Sequence, residues 1–444
     1  MSSFRGGIHP MKRQHGGKRP TRDLPIREFI SDSVCIPLGA RQGPPSVPCV
    51  KKGDAVKVGQ PIALPGPGPL GLPVHASISG KVTDVVRMAY TGDTPVMCVL
   101  IENDFHNTWI DGIYGQREFS AITPESIIPA IRDAGICGMG GASFPTHVKL
   151  SIPEGARCDI IIINGTECET FLTADDRLMR ETPMRIVNGL RLVMRALSVS
   201  RGVIAIEDNK PEALKSILAA SANLPGIEVK KLRTSYPQGG EKQLILTVTG
   251  REVPSGKLPV AVNAVVLNVA TSAAIADAVL QGKPLIERVT TIAGCVKTPA
   301  NLLLRNGTII GDAIGECGGY AKTPGKIALG GGMTGICAPN DQVPMTISTS
   351  GIVVYDEEEA QSLDEQPCIR CGKCVGACPS GLRPYILKHY CDEGDLIGAQ
   401  SEHVLDCIVC GSCSYECPAQ RWLTASFKNM KDKLALAAKG GNGK

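Results

Sequence analysis

The sequence is poor in aromatic residues and in net charge. Phe, Trp and Tyr make up 4% of its 444 residues, and 47 Lys and Arg face 43 Asp and Glu, for a formal net charge of +4. Proteins that bind a phosphate backbone usually carry a marked basic excess, which is missing here. We therefore predict a chain with no nucleic-acid partner.

The sequence also lacks long apolar runs. The most apolar long stretch covers residues 258–280, and Asn263, Asn268 and Asp277 interrupt it, whereas a membrane span needs about 20 consecutive apolar residues. The basic N-terminus is not followed by the apolar core of a signal peptide. We expect a chain in a reducing cytoplasm, where cysteines bind metal more often than they form disulfides.

The apolar runs and turn residues divide the chain into parts of a multidomain α/β protein. We predict an irregular arm at 1–30, a β-sandwich at 31–110, a Rossmann-like domain at 120–285, a β-rich module at 286–350, a helical cysteine-rich domain at 360–428 and a flexible tail at 429–444. Residues 50–61 and 77–82 resemble a β-sandwich of the biotinyl/lipoyl type. The basic run at 11–20 is interpreted as solvated, with contact to an acidic partner or a membrane surface as the alternative.

The Rossmann-like prediction depends on residues 158–164, a short apolar run that ends at Asn164. This pattern is typical of a buried parallel strand that delivers a site residue at its carboxyl end. Amphipathic segments at 183–197 and 211–220 enclose a second apolar run at 202–207, and alternating strands and helices predict a parallel sheet.

Two cysteine blocks carry the strongest chemical signal, because each has the spacing C-x2-C-x2-C-x3-C followed by proline. In such pairs the fourth cysteine of each block binds the other [4Fe–4S] cluster. Structural zinc uses one tetrahedral set of four ligands, which fits this count poorly. The predicted sets are Cys368, Cys371, Cys374 and Cys417 for one cluster and Cys407, Cys410, Cys413 and Cys378 for the other. Two such clusters predict electron transfer; a purely structural pair is the alternative.

A glycine-rich loop from Gly138 to Lys149 is the second signal. It is similar to the G-x-G-G-A-x-F-P-T-x-x-K loop of the flavin subunit of respiratory complex I and related diaphorases. Residues 164–169 resemble the N-x-x-E-x-E of that family, and residues 236–241 resemble its Y-x-x-G-E-E. The chain departs from the pattern at Met139, Ser143, Thr166 and Gly240, and has two cluster motifs where complex I has one here.

Over nearly the whole chain the resemblance is stronger to the RnfC proteins of the Rnf complex, an ion-translocating ferredoxin:NAD oxidoreductase. Residues 4–10, 73–82 and 175–179 and the two cluster motifs carry it, in the same order. The resemblance implies a β-grasp module of the SLBB type at 286–350. It also implies a bacterial peripheral subunit at the cytoplasmic face of the cell membrane, which contacts the membrane through partner subunits only, one of them an iron–sulfur protein.

The same resemblance implies FMN and two [4Fe–4S] clusters as cofactors and NAD(H) as substrate. It places Gly138, Gly140, Gly141 and Lys149 at the FMN phosphate, Asn164 and Glu167 at the flavin, and Phe144, Glu169 and Glu241 on the nucleotide side. It adds Tyr236, Gly239, Asn263 and Asn268 to the cofactor-binding set. Hydride transfer needs no general base, so we assign no acid–base catalytic residue.

Two alternatives remain at this point. The cobalamin-reducing flavoprotein of microcompartments combines a similar loop with a β-grasp module and two clusters, but begins near the loop, without a preceding barrel. The second alternative is a non-enzymatic iron–sulfur relay whose nucleotide pocket has decayed. The departures at Thr166 and Gly240 are the reason to keep this hypothesis.

Overall fold

The computed structural model describes residues 4–91, 94–113, 115 and 117–441 of the chain, with the side chains of 13–15 and 439–441 left aside. The N-terminal arm contains a short 3-10 helix, Lys12–Gly17, and strand β1, Ile26–Phe29. Strand β1 pairs in parallel with residues 301–304 of a later domain. The expectation of a wholly irregular arm was therefore wrong, because this pairing is non-local and leaves little trace in the local sequence.

The second part is a barrel of two antiparallel sheets, as predicted. Its core includes Ile36, Ile62, Val82 and Ile101, which are fully buried. The sheets have the orders β2-β8-β7-β4 and β3-β5-β6. The strands are β2 (Ser33–Pro37), β3 (Val47–Pro48), β4 (Ala55–Val56), β5 (Pro61–Leu64), β6 (Val74–His75), β7 (Gly80–Met88) and β8 (Val96–Asn103).

The third part is the predicted α/β domain, built on a parallel sheet of order β11-β10-β9-β12. Its strands are β9 (Ile160–Gly165), β10 (Gly202–Glu207), β11 (Ile227–Leu232) and β12 (Ala264–Asn268). Its helices are α1 (Pro124–Asp133), α2 (Thr146–Leu150), α3 (Ala174–Glu181), α4 (Pro183–Ala196), α5 (Pro211–Ser221), α6 (Glu241–Thr249) and α7 (Val269–Gln281).

Helices cover both faces of this sheet, which explains why β9 is apolar at every position from Ile160 to Ile163 rather than at alternate ones. Residues 269–280 of α7 are all buried. They are mostly apolar, and the carboxylate of the charged exception, Asp277, pairs with Arg185. Helix α4 packs closely on α7 at Gly189, where a Cβ atom would lie 1.8 Å from the Ser272 carbonyl oxygen. The apolar stretch at 258–280 is thus a short 3-10 turn, β12 and a core helix.

The fourth part is a mixed six-stranded sheet of order β1-β14-β13-β17-β15-β16, into which the arm contributes β1. Its other elements are β13 (Glu287–Gly294), β14 (Ala300–Arg305), α8 (Ile310–Glu316), β15 (Pro324–Leu329), β16 (Ile336–Cys337) and β17 (Gly351–Asp356).

The last part is helical, with α9 (Lys373–Ala377), α10 (Pro384–Glu393), α11 (Leu396–Ser401), α12 (Ser412–Tyr415) and α13 (Leu423–Gly441). Helix α13 continues past Asn429, and its Met430 and Leu434 are buried against the cysteine-bearing helices. The expected flexible tail is therefore helical through Gly441; residues 442–444 lie outside the described part. Across the described residues, no helix is both long enough and apolar enough to cross a membrane.

Candidate functional site

The carboxyl edge of the parallel sheet gathers most of the predicted flavin residues. From β9 the chain continues to β10 on one side, while β12 lies on the other, so the topology reverses between β9 and β12. Asn164 and Asn268 face each other in register at the ends of these two strands. Ligands of open parallel sheets bind at such a reversal point, outside the carboxyl ends of the strands.

The glycine loop lies directly against this edge. It is closed by the Gly138 N–H, which donates to the Phe144 carbonyl at 2.8 Å, and held by the Met139 N–H, which donates to Thr271 Oγ1 at 2.9 Å. A Cβ atom on Gly140 would lie 3.3 Å from the Asn268 Cβ, while one on Gly141, at φ +123°, would point into open space. Glycine at these positions therefore keeps the loop close to β12 and leaves room beside it.

Asn164 holds the turn that follows β9. Its Nδ2 donates to the Gly239 carbonyl at 2.9 Å, and its Oδ1 accepts from the Thr166 hydroxyl at 2.7 Å. The Gly239 N–H in turn donates to Cys168 Sγ at 3.2 Å. The structure thus brings the predicted residues Asn164 and Gly239 together, in a network that uses the departing residue Thr166.

Glu167 turns toward helix α3. Its backbone is in the left-handed region, at φ +43°, and its carboxylate accepts from the backbone N–H of Asp175 at 2.7 Å and of Asp176 at 3.3 Å. Burial raises the pKa of Glu167 to about 7, against the opposing effect of Lys18. The carboxylate thus satisfies the first turn of α3, where a helix leaves N–H groups unpaired.

Two buried lysines brace this turn and were missed as site residues. Lys18 Nζ, from the arm, donates to the carbonyls of Glu167 at 2.9 Å and Leu172 at 2.5 Å. Lys210 Nζ donates to the Thr166 carbonyl at 2.5 Å and pairs with Glu207 at 3.4 Å. Glu207 is the polar residue at the end of the apolar run of β10. The same pattern predicted Asn164 as a site residue, so it could also have predicted Glu207. No local pattern marks Lys18.

Asn268 connects the end of strand β12 to the carboxylate of Asp175. Its Oδ1 accepts from the Ala270 N–H at 2.8 Å and begins helix α7, and its Nδ2 donates to Asp175 Oδ2 at 2.6 Å. Burial raises the pKa of Asp175, with Arg288 as the strongest opposing influence. Arg288 also donates to the Met139 carbonyl at 3.0 Å, so one network joins Asn268 to the glycine loop.

Glu169 and Tyr236 lie where three domains meet. Glu169 Oε2 accepts from the Met333 N–H at 3.0 Å, and Oε1 accepts from Thr334 Oγ1 at 2.5 Å. The Tyr236 hydroxyl donates to the Cys410 carbonyl at 2.7 Å and lies 3.4 Å from Glu169 Oε1. The sheet edge is therefore linked to a loop of the fourth domain and to the second cysteine motif.

Lys149 and Glu241 form a half-exposed ion pair at 2.5 Å, from the end of α2 to the start of α6. Asn263, in contrast, lies apart from the other predicted residues. It precedes β12 at the amino edge of the sheet, where its carbonyl accepts from the Asp159 N–H. Five residue steps along the strand separate it from Asn268, about 16 Å. The structure therefore does not bring Asn263 together with the other predicted residues, and its place in the cofactor-binding set remains a prediction.

The residues at the carboxyl edge fit a flavin phosphate. The loop combines exposed glycines with the cation of Lys149 nearby, and backbone N–H groups with a cation are what phosphate requires. Two side-chain atoms in adjoining segments, Thr146 Oγ1 and Gln243 Oε1, are buried and have no hydrogen-bond partner within the described structure. Such unpaired polar atoms are rare in folded proteins and are usually satisfied by a ligand or by water.

The surroundings of Cys374 and Cys413 show which motif cysteines lie near each other in the described structure. Burial raises the pKa of Cys374, and the thiols of Cys417 and Cys368 act in the same direction. Burial likewise raises the pKa of Cys413 to about 12, with contributions from Cys407, Cys410 and Cys378. Each fourth cysteine is thus a neighbour of the other motif. Among the described residues, no three His, Cys, Asp or Glu side chains converge as on a single metal ion.

The two cysteine loops also share one backbone conformation. Arg370 and Val409, at equivalent positions, both have φ +54°, and Gly372 and Gly411 have φ +75° and +81°. A positive φ is costly for a β-branched residue such as Val409. Strain of this kind persists where function requires it, and a loop that wraps an iron–sulfur cluster fits that requirement.

This fold and these sites define a class of electron-transfer protein, with a flavin domain and an iron–sulfur domain in one chain. Family models match at residues 2–106 (RnfC barrel sandwich hybrid domain), 131–277 (Nuo51 FMN-binding domain), 289–336 (SLBB domain) and 360–419 (4Fe-4S dicluster domain).

Curated relatives identify the family within this class. The RnfC-type subunit of the Na(+)-translocating ferredoxin:NAD(+) oxidoreductase complex of Acetobacterium woodii is 41% identical over 442 residues, 99% of both chains. The same subunit of the proton-translocating complex of Clostridium ljungdahlii is 43% identical and covers 87% of this chain and 84% of its own. That of the ion-translocating oxidoreductase complex of Rhodobacter capsulatus is 39% identical over 98% of this chain and 83% of its own.

The chain belongs to the RnfC family, whose members are subunits of ion-translocating oxidoreductase complexes. It is an electron-transport subunit with other subunits as partners, and it carries an FMN-binding domain and a 4Fe–4S dicluster domain. The recognition and the fold class predicted from the sequence are confirmed. The family assignment also excludes the microcompartment flavoprotein as the family of this chain.

Proposed function

We propose that this chain is the NAD-facing subunit of its complex. It exchanges a hydride with NAD(H) at FMN and single electrons, through two [4Fe–4S] clusters, with an iron–sulfur partner subunit linked to ferredoxin. It is a peripheral subunit at the cytoplasmic face of the membrane, and the ion translocation belongs to other chains. The relatives named for ferredoxin, NAD and ion translocation support this assignment.

The observation that carries the proposal is the contact of Tyr236 with both the flavin-domain turn and the second cysteine motif. The turn from Asn164 to Glu169 ends the strand at the flavin edge, and Tyr236 joins that turn to the carbonyl of Cys410, a cluster-motif residue, at 2.7 Å. NAD(H) carries two electrons as a hydride and a cluster carries one, so a group that handles both kinds of step is needed between them, and a flavin is such a group.

The protein residues bind, orient and exclude water. The exposed glycines of the loop and Lys149 hold the phosphate, and Asn164 and Asn268 form the floor at the strand ends. Glu167 fixes the turn, with its charge offset by Lys18, while Glu169 and Glu241 with Phe144 line the nucleotide side. The eight motif cysteines supply the thiolates. FMN, when bound, accepts or donates the hydride equivalent.

A flavin titration tests this assignment at the level of residues. Purified protein stripped of flavin is titrated with FMN, riboflavin and FAD, and the holoprotein is then mixed with NADH without oxygen. Tight binding of FMN, weak binding of riboflavin and loss of flavin absorbance with NADH support the proposal. Flavin that binds but is not bleached by NADH refutes the hydride step, and an absence of flavin binding favours the relay hypothesis.

A further inference from the structure

The N-terminal arm runs between the flavin domain and the iron–sulfur domain and contacts both. On the iron–sulfur side, the Gly7 N–H donates to the Ala377 carbonyl at 3.2 Å, beside the motif cysteine Cys378. Gly6 lies so close that a Cβ atom there would be 2.5 Å from the Cys378 carbonyl oxygen. The arm therefore rests directly on the end of the first cysteine motif.

On the flavin side, the arm forms a two-bond bridge with the Tyr236 segment. The Ile8 N–H donates to the Tyr236 carbonyl at 2.8 Å, and the Tyr236 N–H donates to the Ile8 carbonyl at 2.9 Å. Ile8 is buried in a small apolar cluster with Tyr236 and Ala377, against which Cys168, Met333 and Cys410 pack. This cluster combines residues of the arm and of the three domains that follow the barrel.

Farther along, the arm anchors on the turn after β9. The Phe171 N–H donates to the Gly16 carbonyl at 2.7 Å, and Lys18 inserts its ammonium group between the carbonyls of Glu167 and Leu172. A buried ammonium is costly unless it is paired, and this one has two carbonyls and the carboxylate of Glu167 nearby. The anchor is therefore specific to one position of the arm.

The two cysteine sets differ in their surroundings. Cys378 contacts the arm and Cys410 contacts Tyr236; both belong to one set. The adjacent Gly411 packs against Met333, and a Cβ atom on Gly411 would lie 3.1 Å from the Met333 carbonyl oxygen. Cys368 and Cys371, of the other set, are exposed. In the described structure, the contacts that the arm, Tyr236 and Met333 make with motif residues therefore reach Cys378, Cys410 and Gly411, which belong to or adjoin the set of Cys378, Cys407, Cys410 and Cys413.

We propose that the arm is a positioning element that clamps the iron–sulfur domain onto the flavin domain, so that the Cys378, Cys407, Cys410 and Cys413 set faces the flavin. The inference rests on the proposed function, and it adds an assignment: the set of Cys368, Cys371, Cys374 and Cys417 faces outward. It gives the first residues of the chain a role in electron transfer, although they touch no reacting atom.

Gly6→Ala tests the clamp. Ordinary van der Waals contact begins at 3.4 Å, so a Cβ placed 2.5 Å from the Cys378 carbonyl must separate the arm from this segment by about 0.9 Å. A 1 Å misplacement costs about 100-fold in a bond-forming step. Electron transfer is less sensitive to distance, so we expect cluster reduction to slow by roughly two- to ten-fold. Gly53→Ala is the matched control, because Gly53 also has a positive φ, +95°, but nothing lies within 4 Å of its Cβ position.

Four readouts separate the possible results. In Gly6→Ala we expect wild-type FMN content and wild-type flavin bleaching by NADH, slower appearance of the reduced-cluster EPR signal after NADH but not after dithionite, and faster amide exchange in residues 407–413. Tyr236→Phe, which removes the donor to Cys410, should increase amide exchange there even if Gly6→Ala fails to fold.

Cluster reduction at the wild-type rate in Gly6→Ala, or unchanged exchange at 407–413 in both variants, would overturn the clamp. Failure of NADH to bleach the wild-type flavin is a different result and overturns the proposed function instead.

Discussion

The two asparagines at opposite ends of strand β12 allow a direct test of where the flavin binds. Asn268 caps α7 and donates to the buried carboxylate of Asp175 at 2.6 Å, whereas Asn263 lies at the far end of the strand, at φ +58°. Substitution of Asn268 should damage the site, and substitution of Asn263 should leave it intact.

The expected cost for Asn268→Ala is the sum of two losses. Removing an N-cap side chain costs about 1 kcal/mol, and removing a donor to a charged buried group costs about 1.5–3 kcal/mol. The variant should therefore lose about 3 kcal/mol of stability and retain less FMN. Asn263→Gly tolerates the positive φ and should change stability by less than about 0.5 kcal/mol.

Asn268→Asp adds a dependence on pH. It keeps the cap but places a second carboxylate against Asp175, whose pKa burial already raises. A carboxyl with a raised folded pKa favours the folded state at low pH and loses that contribution as pH increases. Asn268→Asp should thus be more destabilised at pH 8 than at pH 5.

Urea unfolding followed by circular dichroism, with FMN content measured after gel filtration, checks all three variants. Loss of FMN from Asn263→Gly together with full retention in Asn268→Ala would refute the placement of the flavin at the carboxyl edge.

Three further predictions concern single residues. Burial raises the pKa of Glu167 to about 7, so wild-type stability should decline between pH 4.5 and pH 7, by at most about 3.4 kcal/mol. Glu167→Gln should flatten this slope in urea titrations at several pH values. Lys149→Met should weaken FMN binding about ten-fold or more, as expected for a lost charge-assisted hydrogen bond, while Lys242→Met on the neighbouring helix should not; equal effects in a fluorescence titration would argue against a phosphate contact. Met430→Ala should destabilise the iron–sulfur domain by about 2–4 kcal/mol, because Met430 is buried; a melting temperature equal to that of Leu436→Ala, where the side chain is exposed, would contradict the packing of α13.

Local patterns were enough to predict the parts of the site that lie in continuous segments. Strand β9 followed from an apolar run that ends in Asn164, and the cysteine sets followed from spacing, because three ligands on one loop leave little freedom. The glycine loop and the turn at residues 164–169 were placed through resemblance rather than through chemistry alone.

Long-range contacts could not be predicted in this way. Lys18 belongs to a basic run that is typical of a solvated arm, and only tertiary structure shows that its ammonium is buried. Strand β1 pairs with a strand of a distant domain, and Asn263 differs from Asn268 only in which edge of the sheet it occupies. The helical content of residues 429–441 depends on burial of Met430 and Leu434, which tertiary packing decides.

One measurement tests the central claim most directly. The chain is purified without oxygen, iron and sulfide are reconstituted, the bound flavin is released by acid and identified, and the holoprotein is mixed with NADH. The account predicts about eight irons per chain, as two [4Fe–4S] clusters require, non-covalent FMN, and bleaching of the flavin followed by cluster reduction. About eight irons with no flavin, or with flavin that NADH cannot reduce, would contradict the hydride-transfer role and leave an iron–sulfur relay.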